Sequence, residues 1–293
     1  MRRTIKGRLD RGAREFETRV HEHEGEVMGI ARRDVVTVPP TISIKGAAET
    51  MAAYKTRRLP IAHPGTEKLE GIVISRDIIN FLGGGEKHRI ISEKYQGNIF
   101  AAVNDSIRHI MSREVFTLRD TASIDDVIEE MKEKNVGGFP IVNAEDEVVG
   151  IVEEKDVVRQ IAGAVTGELV EDLMAADLIT ITPGTTIKDT CRFMIVNDIR
   201  RLPVIQEDEL IGLITTTDIL RHFASNEMFK HMKGDPLSER INQVMVRTLC
   251  TVSPKEDAGK AAQTMKENDV GCLLVTDKRL VGILAERDLL KIF

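Results

Sequence analysis

The sequence predicts a mixed α/β (α+β) protein made of four copies of one small βαββα unit, and three observations predict it. Four segments align without gaps, each placing a Thr fourteen residues before a Met: Thr37 and Met51, Thr117 and Met131, Thr180 and Met194, Thr251 and Met265. Eight residues before each Met stands Ser43, Ser123, Thr186 or Asp257, residue types whose side-chain oxygen accepts a backbone N–H at a helix start. Each unit closes on a glycine with an aspartate six residues later: GIVISRD from Gly71, GIVEEKD from Gly150, GLITTTD from Gly212 and GILAERD from Gly282. Such a period decides the fold before any single element does.

Taken in order, the short β-rich piece around each Thr, such as LITIT, reads as a first strand. From the cap to the Met, apolar residues recur at helical spacing, as in Ile124, Val127, Ile128 and Met131, so an amphipathic helix follows with the Met in the core. LPI, FPI, LPV and LLV read as second strands, and the glycine-bearing runs as third strands. The turn between these two shortens from the first copy to the last, as a turn can and a paired strand cannot. After each Asp an apolar stretch (IINFL, VVRQIAG, ILRHFA, LLKIF) reads as a second helix.

Odd copies carry RRLP (Arg57, Arg58 and Arg200, Arg201), whereas even copies carry glycine there (Gly137, Gly138 and Gly271, the last followed by Cys272). A pair was therefore duplicated, and two modules of two repeats are expected. The expected boundaries are an N-terminal arm at 1–30, repeats at 31–83, 110–163, 173–226 and 244–293, and a helical connection at 84–109.

The chain of 293 residues is long enough for a sizeable core, and with only 4% aromatic residues that core must be aliphatic. A formal charge of -6 argues against a dedicated nucleic-acid binder, although the arm MRRTIKGRLDRGAR is basic. Three cysteines without CxxC spacing suggest neither a disulfide framework nor a zinc site, and a reducing, cytoplasmic location is expected. The charged N-terminus lacks the apolar run of a signal peptide, and no stretch is long enough to span a membrane. His21 and His23 in HEHEGE read as solvated rather than as metal ligands, and no metal is expected. GGG at 83–85 reads as a helix stop, and DAGKAA lacks the first glycine and the Ser/Thr of a P-loop. No nucleophile, base and orienter assemble, so no enzyme and no catalytic cofactor are expected.

The Thr-to-Met register, the LPV strand and the glycine-to-Asp ending resemble the CBS domain, whose tandem pairs form Bateman modules. The resemblance covers all but the arm. With four copies and no catalytic domain, the chain is similar to the gamma subunit of AMP-activated protein kinase and to stand-alone four-CBS proteins of archaea. The resemblance implies clefts between paired repeats, arranged about a pseudo-two-fold axis, that take AMP, ADP, ATP or S-adenosylmethionine. It assigns the ribose hydroxyls to Asp77, Asp156, Asp218 and Asp288, helped by Thr215, whose counterparts Ile74, Glu153 and Ala285 depart from the pattern. Phosphate falls to Arg57, Arg58, Arg200, Arg201 and Lys155. Adenine is framed by Thr37, Thr117, Thr180, Thr251, Gly137, Gly138, Ile199, Gly271 and Cys272.

Residue chemistry agrees with that assignment, since a carboxylate suits a vicinal diol and a guanidinium suits phosphate. Against it stands the simpler reading of each Asp as a helix cap and of each Arg pair as solvated surface. The expected function is an adenine-nucleotide sensor that signals to a protein partner. The alternatives are an S-adenosylmethionine sensor, a nucleic-acid-binding regulator, and a scaffold with empty clefts. A disc closed within one chain and a homodimer are both compatible with the repeat count.

Overall fold

The computed structural model describes residues 24–225, 227–230 and 235–293. The basic arm with His21 and His23 lies outside the described residues.

All four predicted caps form. Ser43 accepts from Gly46 N (2.9 Å), Ser123 from Asp126 N (3.1 Å), Thr186 from Asp189 N (3.1 Å) and Asp257 from Gly259 N (2.8 Å). They start the helices Ile44–Ala53, Ile124–Glu133, Ile187–Val196 and Ala258–Asn268, whose Met51, Met131, Met194 and Met265 are buried.

The described residues form ten strands: β1 (Arg58–Ala62), β2 (Leu69–Ile74), β3 (Leu118–Arg119), β4 (Gly138–Val142), β5 (Val148–Glu153), β6 (Arg201–Gln206), β7 (Glu209–Thr215), β8 (Thr251–Val252), β9 (Cys272–Asp277) and β10 (Arg279–Ala285). In every repeat the second and third strands pair antiparallel. The first strand runs parallel to the second, as two residues in even repeats and as single bridges, Val38 to Ile61 and Ile181 to Val204, in odd ones. The second helices are Ser75–Gly83, Glu154–Val158, Thr216–Ala224 and Glu286–Leu289. The connection is a series of short helical turns, broken where Gln96 and Gly97 take positive φ.

Repeats of one module exchange an edge. The segment before repeat one pairs with repeat two (Arg32 to Ile151), and that before repeat two pairs with repeat one (Ser112 to Ile72). In the second module Ala175 pairs with Ile283 and Val246 with Leu213. Each partner is the residue after the recurring glycine. A Cβ at Gly71 would stand 2.7 Å from Ser112 O and collide with the crossing segment, and at Gly212 and Gly282 it would press on that segment at 3.1 Å from Val246 O and Ala175 O.

Two hydrophobic cores run across the modules rather than within them. One joins repeats one and three with the connection, around Phe81, Ile79, Cys191 and Phe223; the other joins repeats two and four, around Phe139, Val127, Leu273 and Leu289. Strand exchange therefore ties one to two and three to four, while helix packing ties one to three and two to four. The single chain closes into a ring.

Gly83 marks the tightest point of that packing, because a Cβ there would lie 2.1 Å from Cys191 Cβ and 2.7 Å from its backbone. Its helix then stops at Gly84, the left-handed cap at φ 85°. We expect Gly83→Ala to cost about 1–3 kcal/mol by overpacking. Gly29→Ala, with nothing within 4 Å, should stay within about 0.5 kcal/mol. Denaturant unfolding of both variants checks the pair.

Candidate functional site

Each closing aspartate sits in the first turn of its second helix and accepts the backbone N–H three residues before it. Ile74 N donates to Asp77 (2.7 Å), Glu153 N to Asp156 (2.9 Å), Thr215 N to Asp218 (2.9 Å) and Ala285 N to Asp288 (2.9 Å), always through Oδ2. Capping is thus a property of all four. It leaves Oδ1, which faces a cation in every repeat: Arg159 at 3.7 Å, Arg221 at 3.4 Å and Lys291 at 3.5 Å, each three residues along the helix. In repeat one that position is Asn80, and Lys87 of the connection takes the role, its backbone N–H held by the Asn80 side chain. Thr215 adds a 2.6 Å hydroxyl bond to Asp218. Burial pushes Asp77, Asp156 and Asp218 above the ordinary carboxylate range, against the pull of those donors.

Between the aspartates lies an ionic cluster. The first arginine of each odd pair reaches diagonally across the ring: Arg57 of repeat one meets Glu286 of repeat four at 3.1 Å, and Arg200 of repeat three meets Glu154 of repeat two at 3.3 Å. The second arginine stays in its own module, Arg58 on Glu153 and Arg201 on the Gly271 carbonyl at 2.9 Å. Arg287 donates to Glu154 at 2.6 Å and Lys155 pairs with Glu153 at 2.8 Å.

Glu153, Glu154 and Glu286 are buried. Burial alone would raise Glu154, but Arg200 and Arg287 outweigh it and hold its carboxyl at about 2; Arg58, Arg57 and Lys155 hold Glu153 lower still. Among the described residues five cations pair with these three carboxylates, and Arg201 stands beside them on a backbone carbonyl. Arg200 is pushed down to about 10 by burial and, despite Glu154, by the charges of Arg201, Arg57 and Arg287.

A cavity of about 520 Å³ opens on this cluster. It is lined by Asp77, Val115, Phe116 and Val136 to Gly138 from the first module and by Asp288, Ala175 and Ile199 to Arg201 from the second. A smaller cavity of about 150 Å³ is lined by Arg57, Lys155, Arg159, Arg221 and Gly271 beside the Asp156 and Asp218 helices.

The structure thus gathers Asp77, Asp288, Arg57, Arg58, Arg200, Arg201, Gly137, Gly138 and Ile199 in one space. It leaves Thr37, Thr117, Thr180 and Thr251 exposed and lining neither cavity, and buries Cys272. Gly137, Gly138 and Gly271 make room for a guanidinium, since a Cβ at Gly137 would stand 2.6 Å from Arg58 Nη2 and one at Gly271 2.9 Å from Arg201 Nη2. Sequence reasoning missed Glu154, Glu286, Arg287 and Lys87. The signal for the first two was present: even repeats place Glu two residues before the closing Asp, where odd repeats have Ser75 and Thr216.

The CBS-domain family model matches residues 25–84, 107–163, 170–225 and 241–293, and the chain belongs to that family. It is 41% identical over 275 residues to the uncharacterised protein MJ1225 of Methanocaldococcus jannaschii, covering 91% of this chain and 98% of that one. The crystal structure of MJ1225, proposed as an archaeal homologue of the AMP-activated protein kinase gamma subunit, superposes with a TM-score of 0.84 over 90% of this chain and 98% of that one at 40% identity. A 33.4 kDa protein from the ribosomal RNA operon of Thermofilum pendens is 26% identical over 87% of both chains. An uncharacterised conserved protein of Pyrococcus horikoshii shares the fold, with a TM-score of 0.57 at 18% identity over 90% of this chain and 97% of that one.

Replacing Glu154 by Gln removes the partner of two arginines, and we expect a loss on the order of 3 kcal/mol at neutral pH. Because the folded-state value is depressed, this contribution is full above the ordinary value of 4.5 and is lost as pH falls toward about 2. The stability difference between wild type and variant should therefore shrink over that window, as pH-dependent denaturant unfolding will read. A constant difference would remove the charge argument.

Proposed function

We propose that this chain is a non-catalytic sensor of adenine nucleotides, which bind in the clefts between paired repeats and report to a protein partner. The observation that supports it best is one cavity holding both halves of the required chemistry. Asp77 and Asp288 offer fixed, backbone-anchored carboxylates for a ribose diol, and Arg57, Arg58, Arg200, Arg201 and Arg287 line the same cavity. The likeness to MJ1225, proposed as a gamma-subunit homologue, supports the same reading.

Nucleotide phosphate competes with Glu154 and Glu286 for Arg200 and Arg57. A ligand that wins that competition changes the bonds joining the modules, and this differential contact lets binding shift a conformational equilibrium. AMP and ATP share the ribose contact and differ in the phosphates they bring to the arginines, so competition between them would report adenylate charge. S-adenosylmethionine brings two cationic centres with its single carboxylate, so arginines favour a nucleotide phosphate over it. The basic arm, on which a nucleic-acid reading rests, lies outside the described residues.

Thermal shift and calorimetry with AMP, ADP, ATP and S-adenosylmethionine test the proposal, since ligand stabilises the native state by mass action. AMP or ATP should raise the melting temperature, and Asp218→Ala should weaken one site roughly ten- to a hundred-fold, the worth of one charge-assisted bond. Silence toward every adenosine ligand would leave a scaffold.

Acid supplies a further prediction. A ribose acceptor must be ionised, and Asp77, Asp156 and Asp218 titrate above the ordinary carboxylate value of 3.8 in the empty protein. Nucleotide affinity should fall as pH drops through that raised range, and binding there should release protons. Calorimetry in two buffers of different ionisation enthalpy measures the release.

A further inference from the structure

We infer that the cleft at Asp156 is filled by the chain's own side chains and takes no nucleotide, with Arg32 the residue that closes it. This inference rests on the adenine-nucleotide reading and decides which clefts that reading covers. The ribose contacts then fall to Asp77, Asp218 and Asp288.

Comparison of the repeats carries it. The crossing segments place Ser112, Ala175, Val246 or Arg32 against the residue after the recurring glycine. One residue before each arginine pair, or before its counterpart in even repeats, stands Thr56, Val136, Ile199 or Val270. Ser112 and Val136 line the larger cavity together with Asp77, and Ala175 and Ile199 line it together with Asp288. Short side chains on the crossing segment and apolar ones on the strand thus leave open space beside both aspartates.

In the Asp156 cleft the same two places hold Arg32 and Thr56, and they meet. Arg32 Nη2 donates to Thr56 Oγ1 at 3.2 Å. Both partners are fixed: Arg32 exchanges two backbone bonds of 3.0 Å with Ile151 of β5, and the buried Thr56 donates its hydroxyl to Arg58 O at 2.8 Å. The guanidinium therefore spans the slot that Ser112 and Ala175 leave clear. Arg32 Nε is buried as well and, among the described residues, is the buried side-chain atom without a hydrogen-bond partner. The side chain fills this space more completely than it satisfies its own donors.

A second departure lies three residues before the closing aspartate. Ile74, Thr215 and Ala285 hold that position in the other repeats, and Ile74 and Ala285 line the larger cavity. Repeat two has Glu153 there, a buried carboxylate paired with Arg58 and Lys155. An entering phosphate would meet like charge, beside cations that are already engaged. The chain carries its own cation and its own anion in this cleft, where the larger cavity has small or apolar side chains.

Calorimetric titration of the full-length chain with AMP and with ATP tests this by counting sites. Arg32→Ser combined with Glu153→Thr restores residues found in the other repeats and should add one site per chain to the wild-type number. Asp156→Asn keeps an oxygen for the cap bond; it should weaken the added site about ten- to a hundred-fold and leave binding in the wild-type background as it was. Arg32→Met fills the slot without the unmatched donor and should keep the wild-type number. Cooperative melting of each variant verifies its fold, and Arg32→Ser alone, which keeps Glu153 and its ion pairs, should show the added site more weakly if the combined variant does not fold. An unchanged number of sites in the folded Arg32→Ser variants, a site gained by Arg32→Met, or a wild-type site lost on Asp156→Asn overturns the inference while leaving the sensor intact. If the wild type and the opened variants all fail to bind AMP and ATP, the sensor reading falls and the inference with it.

Discussion

Two buried carboxylates organise this molecule. Glu154 and Glu286 lie where four repeats converge, and an ionised group there costs several kcal/mol in lost hydration unless cations surround it. Each repays that cost diagonally, Glu154 with Arg200 and Glu286 with Arg57, so no module satisfies its central charges alone. The ring is the smallest arrangement of these repeats in which both are matched.

The other joints of the ring rest chiefly on backbone pairing and apolar packing. Edge exchange within a module depends on backbone pairing over a glycine, and packing between modules depends on aliphatic helix faces brought close at Gly83 and Cys191. Both resist small deformations, since interiors are close-packed and a methyl group has nowhere to go.

The aspartates show why capping and ligand contact need not be rival readings. Oδ2 holds the helix start and fixes the carboxylate, and Oδ1 is turned to a cation instead. Repeat one departs from its sisters, because Asn80 stands where the others have Arg or Lys and Lys87 arrives from the connection instead. The four repeats are thereby inequivalent in which cation faces the carboxylate.

The repeat, its caps, its strands and the pairing of copies into modules were legible in the sequence, because period, capping chemistry and the glycine-to-Asp spacing are local and survive duplication. Arg57, Arg58, Arg200 and Arg201 were legible as candidates, and even the matching acidic positions stood in GIVEEKD and GILAERD. Which arginine meets which glutamate was not. Arg57 has Glu154 in its own module and Glu286 in the other, in the same register, and only the helix packing that sets repeat one against three and two against four selects Glu286. The sequence by itself determined the units and their chemistry; tertiary structure alone decided the closed ring, the diagonal pairing and the shared cavity. Those depend on side chains separated by up to 229 positions meeting in space, a geometry that no local spacing encodes.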